Sequence, residues 1–441
     1  MKSLILVALF TACGSPPATG STTPPPEVES EEAPAAASPD GRVPNARERA
    51  AIASLAAIAE RARGLEFRSR FDIRVQTSEE ILAHLFAEFD EEDLAVSRKV
   101  YTALGLLPPD LDIRDLLTRV LGEQVAGYYD PEIDRLVIRD DVMRSLGTRT
   151  LGMTDEGKLT IVHELVHALQ DQHFGLDDLD EEEDSDPSTA YQAVVEGDAT
   201  LAMVGYAAEQ NRVPLQLITG NPENLRNLLA QGEADGDNAE LQSAPAILRV
   251  TLLSSYVDGL VFCATIHGQG GWPSVDRAHR QRPVSTEQIL HPEKFLQGEL
   301  PDRVEVPENL VAGWNALESD RLGELEMRVY FGQLQNDVDE PAAAGWNGDH
   351  LRAYEHPDGR VAVVWFSTWD NEAEASEAEI VAKRIRQANS DPELQLVARR
   401  NRALLIVRGL GAAEREAAAN AFEAFARTVP PTPARDGALS R

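Results

Sequence analysis

His163, Glu164 and His167 fall in the spacing His-Glu-x-x-His within Lys158-Leu159-Thr160-Ile161-Val162-His163-Glu164-Leu165-Val166-His167-Ala168-Leu169-Gln170. Residues four apart on a helix share a face, so the two imidazoles would stand side by side toward one ion. Neutral imidazole nitrogens at that spacing suit a tetrahedral Zn²⁺, and the carboxylate between them in sequence can reach a water on the ion as general base. Such chemistry needs a third protein ligand and an open fourth position.

The flanking residues predict the helix that the motif requires. Leu159, Val162, Val166 and Leu169 form an apolar stripe at helical spacing, Thr154 is placed to cap, Asp155 and Glu156 complement the positive helix end, and Gly175 stops the helix. A second helix should follow, capped by Asp186, with Pro187 in its first position, and running toward Gln210. Glu196 lies in its apolar run, between Val194, Val195, Gly197 and Ala199. A carboxylate is costly to bury there unless it is paired or coordinated, and Gly197 with Ala199 lets two helix backbones come close. Glu196 is therefore the expected third ligand.

His163-Glu164-Leu165-Val166-His167 followed by Glu196-Gly197-Asp198-Ala199 resembles the gluzincin metallopeptidases. The resemblance implies one zinc ion held by His163, His167 and Glu196, with Glu164 as the base. It extends less specifically to Ala126-Gly127-Tyr128-Tyr129-Asp130-Pro131 and Ser255-Tyr256-Val257-Asp258-Gly259, which are similar to bacterial predicted metallopeptidases carrying His-Glu-Leu-x-His-Ala-Leu-Gln-Asp-Gln. A gluzincin also needs a donor for the oxyanion, usually Tyr or His. Tyr256 is the first choice, with Tyr129 and His267 behind it. The chain departs from the best-known gluzincins in the acidic run Asp177 to Asp186 between the ligand helices, which reads as a solvated loop.

The start of the chain predicts export. Met1-Lys2-Ser3 and the apolar Leu4 to Phe10 are too short to span a membrane as a mature helix, and Thr11-Ala12-Cys13-Gly14 resembles a bacterial lipobox, so residues 1–13 read as a lipoprotein signal ending at a lipidated Cys13. The rival is simple secretion with Cys13 lost. Residues 14–41, poor in bulky apolar side chains, form a tether. Cys263 is the only other cysteine and sits in the apolar run Leu260 to Ala264, so a buried free thiol is expected. No later stretch reads as a membrane span. A net charge of -33 and a pI near 4.6 argue against nucleic acid as a partner, while 43% hydrophobic residues suffice for substantial cores.

The remaining pattern predicts an α+β chain: a mainly helical zincin-like domain over residues 42–335 with a small β-hairpin, an α+β unit over 336–430, and a disordered tail over 431–441. Helices are expected at Ala46 to Arg63, from the capping box Thr77-Ser78-Glu79-Glu80, at Ile113 to Leu121 and at Ala244 to Ile266, with a strand at Phe67 to Val75. Gln124 to Tyr129 and Arg135 to Arg139 read as a hairpin, which in zincins can hold a substrate backbone by strand addition. Ser285-x-x-Gln288 caps a short helix stopped by Pro292. The C-terminal unit reads β-β-α-β-β-α, with its helices on one face of the sheet. Its tryptophans read as core rather than as the lining of a cleft.

Together these features predict a zinc endopeptidase acting on polypeptides at the bacterial cell envelope, lipid-anchored through Cys13 and facing the periplasm or the cell surface. If a further protein ligand such as His173 or His267 closed the fourth position, the chain would instead be a catalytically silent metal-binding lipoprotein acting as an envelope binding or assembly factor. A metal hydrolase acting on a non-peptide bond is a third reading.

Overall fold

The computed structural model describes residues 40–147, 155–176, 184–226, 239–334 and 341–431. The signal through Cys13, almost all of the tether, Thr154, most of the acidic insert and nearly all of the tail lie outside the described residues, as does position 335. Within them the chain is α+β, with two sheets.

The first helix, α1 (Ala46–Arg63), opens on a capping box in which Asn45 and Glu48 satisfy each other's backbone N–H groups, and ends at Gly64 in the left-handed region (φ 76°). Strand β1 (Asp72–Gln76) leads into α2 (Ser78–Glu88), capped by Thr77 and Glu80 as predicted. Helices α3 (Glu91–Leu104) and α4 (Ile113–Gln124) then bring the chain to β2 (Gly127–Asp130) and β3 (Arg135–Arg139). These two strands pair antiparallel as the predicted hairpin, while β1 adds parallel to the far side of β3, so β2 is left at the sheet edge.

After α5 (Asp140–Gly147) come the two helices the motifs require, α6 (Asp155–Phe174) and α7 (Ser185–Gln210). They pack on each other and on α1, and α7 also packs along α8 (Ala246–Gly270). The α7/α8 crossing is tight because it is made at glycines. A Cβ on Gly197 would overlap the Gly259 carbonyl, and one on Gly259 would overlap the Ala193 carbonyl. In length and composition α8 could cross a membrane, contrary to the expectation that no such stretch follows the signal, but most of its apolar window is buried. It is apolar all round because other elements of the fold surround it. Cys263 lies on it, fully buried and free. Helix α9 (Trp272–Arg280) follows immediately.

The second sheet is antiparallel throughout, in the order β4 (Asn315–Asp320), β5 (Trp346–Glu355), β6 (Val361–Trp369), β8 (Ala403–Arg408) and β7 (Leu396–Arg400). Helix α10 (Gly323–Gly332) follows β4, α11 (Glu372–Ala388) follows β6, and α12 (Ala412–Ala426) follows β8. The expectation of helices on one face is corrected. Val363 and Trp365 pack with Ala375, Ala378 and Ala382 of α11, whereas Val364 and Phe366 pack with Ala418 and Phe422 of α12. Alternate residues of β6 are apolar on both faces, so both faces need a cover.

The unit boundary expected at residue 335 also shifts, because β4 pairs with β5 and so the sheet begins twenty residues earlier. This unit is not a detached accessory. One continuous core joins Ile81, Leu104 and Leu121 to Trp365, Trp369 and Ile406, and Tyr101 donates to Glu326 across it at 3.0 Å. Trp346, Trp365 and Trp369 are core residues, and the first two donate to the buried Asp349 carboxylate at 3.1 and 2.7 Å. Trp314 instead lies edge-on to His356.

Candidate metal centre

The predicted motif sits in the middle of α6, and both histidines point at α7. His163 Nε2 lies 3.0 Å from His167 Nε2 and 3.0 Å from Glu196 Oε2, and His167 Nε2 lies 3.5 Å from the same carboxylate oxygen. All three side chains are at most 1% exposed. Donors held about 2.0–2.1 Å from a tetrahedral zinc lie about 3.3 Å from one another, a spacing these three separations bracket. The chemistry of the set also fits zinc: two imidazole nitrogens and one carboxylate oxygen. His163 Nδ1, Glu164 Oε2 and Glu196 Oε1 are buried without a hydrogen-bond partner. Leaving such groups unmatched costs about 1–3 kcal/mol each, a cost that an ion would relieve at Glu196.

Charge is concentrated here. Burial pushes the Glu196 carboxyl up, but the adjacent His167 and His163 outweigh it and hold the group at about 2. Burial lowers His167, and Glu196 more than offsets this, raising it to about 9. His163 ends below its usual value because burial dominates. Glu164 is driven well above the carboxylate range, first by burial and then by Glu196.

Glu164 is 2% exposed and lies close to the backbone N–H of Tyr129, which favours its charged form. The register explains that contact. Arg139 N–H bonds to the Ala126 carbonyl, so the alternation of antiparallel pairs turns the Tyr129 N–H away from β3 and out of the sheet edge. The Tyr129 phenol reaches Asp171 at 2.8 Å, two turns further along α6. Strand β2 thus runs beside Glu164 and is tied to α6 near the helix end.

The other nominated residues part company. The Tyr256 ring lies 6.0 Å from the His163 ring, so α8 brings it to the centre. Tyr129, by contrast, turns its hydroxyl to Asp171 and away from the ligands. His267 stacks edge-on against Trp272, and His173 bonds to the Glu66 carbonyl at 2.8 Å. Among the described residues, the group able to hold an ion at this centre is His163, His167 and Glu196, with neither His173 nor His267 joining it. Arg282 lies over the Tyr191 ring and His291 contacts Glu324, so the polar segment at 282–292 serves structure. A second acidic group, Glu287, Glu299 and Asp370, encloses the Lys294 ammonium.

Sequence reasoning passed over four residues behind the ligands. Gln170 lies 2.8 Å from His167 Nδ1 and donates to Asp198 at 2.9 Å. Asp198 also takes His279 at 2.8 Å and forms an ion pair with Arg63 at 2.5 Å. Asp198 could have been found by the argument that singled out Glu196, since it lies in the same apolar run. Nothing in the Ala-rich stretch around Arg63 pointed to it.

A family described as a domain of unknown function (DUF8575) matches residues 309–418. That segment holds the second sheet and excludes all of the candidate ligands. Neither the curated proteins nor the solved structures contain a match.

Proposed function

We propose that the chain is a zinc-dependent metallopeptidase of gluzincin type, exported and lipid-anchored at a bacterial cell envelope. The observation that carries this reading is the buried convergence of His163, His167 and Glu196 beside a carboxylate, Glu164, that does not belong to the ligand set. A purely structural zinc site has no use for that carboxylate. Zinc at this site would supply Lewis acidity to a carbonyl oxygen and make a nearby water easier to deprotonate.

The chain's own residues do the rest. Glu164, with its affinity for protons raised by burial, takes the proton from the attacking water and returns it to the leaving amine. The Tyr129 N–H lies close to this carboxyl, whose Oε2 is buried and unmatched. Tyr256, whose ring lies 6.0 Å from that of His163, would donate to the oxyanion. Strand addition at β2 needs its cover to open, since β2 lies against α6 and Tyr128 and Tyr129 are buried. Since the ligands and base are buried, a substrate reaches them only when some of the covering structure moves.

The test is zinc content together with cleavage of an unstructured protein such as casein, for the wild-type chain and Glu164→Gln. One zinc in both, with cleavage only by the wild type, is the expected result. Equal cleavage by both would sink the assignment of the base. Zinc in both without cleavage by either would favour the silent metal-binding lipoprotein.

A further inference from the structure

We propose that Asp198 is the positioning residue of the metal centre, acting through Gln170 to set the tautomer and orientation of His167. This rests on the metal-centre reading and assigns the groups behind it. The Gln170 amide can point only one way. Its Nε2 donates to the Val195 carbonyl and to Asp198 Oδ2, both at 2.9 Å, which turns Oε1 to His167 Nδ1 at 2.8 Å. An amide oxygen only accepts, so His167 Nδ1 carries a proton and Nε2, on the side of Glu196 and His163, is the nitrogen left to bind an ion. This is the tautomer a metal ligand needs.

The Val195 carbonyl can only accept and so fixes which way the amide faces, and Asp198 holds the second N–H of the amide and ties it to the rest of the fold. Asp198 is fully buried, and four elements meet on it: α6 through Gln170, α7 which carries it, α9 through His279 Nε2, and α1 through Arg63. Arg63, also fully buried, is anchored in turn by Asp276 at 2.7 Å and lies over the Trp272 ring at 4.6 Å. His279 is stacked flat on Phe174, with ring centres 4.4 Å apart. Oδ2 of Asp198 faces the Gln170 amide nitrogen and His279 Nε2, and Oδ1 faces the Arg63 guanidinium, so the carboxyl is surrounded by donors and meets the N–H side of the Gln170 amide rather than its oxygen. At its Nδ1 edge the His167 ring meets an amide and not a carboxylate.

The experiment measures zinc affinity of the full chain by chelator competition and the visible absorption of its Co²⁺ form, for wild type, Gln170→Met, Asp198→Asn and the double variant. Each single change should weaken zinc about 10–100-fold and alter the cobalt bands. The double variant should bind no more weakly than the worse single, because both lie on one line of contacts. Gln170→Met leaves the Arg63 ion pair in place, so it decides the matter if Asp198→Asn fails to fold. Wild-type affinity and spectrum in Gln170→Met would overturn the positioning role while leaving the centre standing, and so would multiplied losses in the double variant. A wild-type chain that binds neither ion would remove the centre itself.

Discussion

At the scale of single residues, the centre separates groups that bind, groups that react and groups that hold. Tyr256 lies against His163, and in the proposed role of oxyanion donor its loss should appear in turnover. Tyr256→Phe is expected to lower kcat about 10²–10³-fold with zinc content unchanged, and steady-state kinetics beside metal analysis checks both. Tyr129→Phe should act differently. Its hydroxyl bonds to the half-buried Asp171, so its removal should cost about 1–3 kcal/mol of stability, read by denaturant unfolding, while the backbone N–H beside Glu164 is retained.

Among the elements, the α7/α8 crossing decides whether the centre exists. Glu196 and Tyr256 arrive on different helices, and both depend on contact at Gly197 and Gly259. Gly259→Val should force the backbones apart and abolish both zinc retention and cooperative unfolding, measured by metal analysis and circular dichroism. An expression fragment ending at residue 335 should likewise fail to fold, because β4 loses β5 and the core shared with α2, α3 and α4 is opened. A soluble, cooperatively unfolding fragment would contradict that. The close approach at Gly197 was legible in the sequence, since small residues beside a buried carboxylate ask for a near neighbour. Its partner was not, because nothing local distinguishes Gly259 from any other helical glycine.

The whole molecule carries a pH dependence away from the metal site. Burial raises Asp186 to about 8 despite the Thr286 donors, and raises Asp320 to about 7 despite Ser185. Both pin the start of α7, Asp186 to Thr286 at 2.7 Å and Asp320 to Ser185 at 2.7 Å. Folded values above the unfolded value of about 4 mean that the folded state binds more protons. That contribution to stability is complete below pH about 4 and is lost as pH rises through 7 and 8. Thermal midpoints should therefore fall between pH 5 and pH 9, and Asp186→Asn should flatten the slope. An unchanged slope in that variant would remove Asp186 from the account.

What the sequence determined by itself was local. The period of 3.6 residues puts His163 and His167 on one face, the Thr77 and Ser285 caps open their helices, and the Asp130 to Arg135 turn makes a hairpin, each within a few residues of chain. The tertiary structure alone decided which groups stand behind the ligands and which faces are covered. Arg63 reaches Asp198 across 135 positions, and α11 and α12 take opposite faces of one sheet. The physical reason is range: a helical period or a cap is settled by neighbours along the chain, whereas a buried charge is satisfied by whichever partner the packing brings to it.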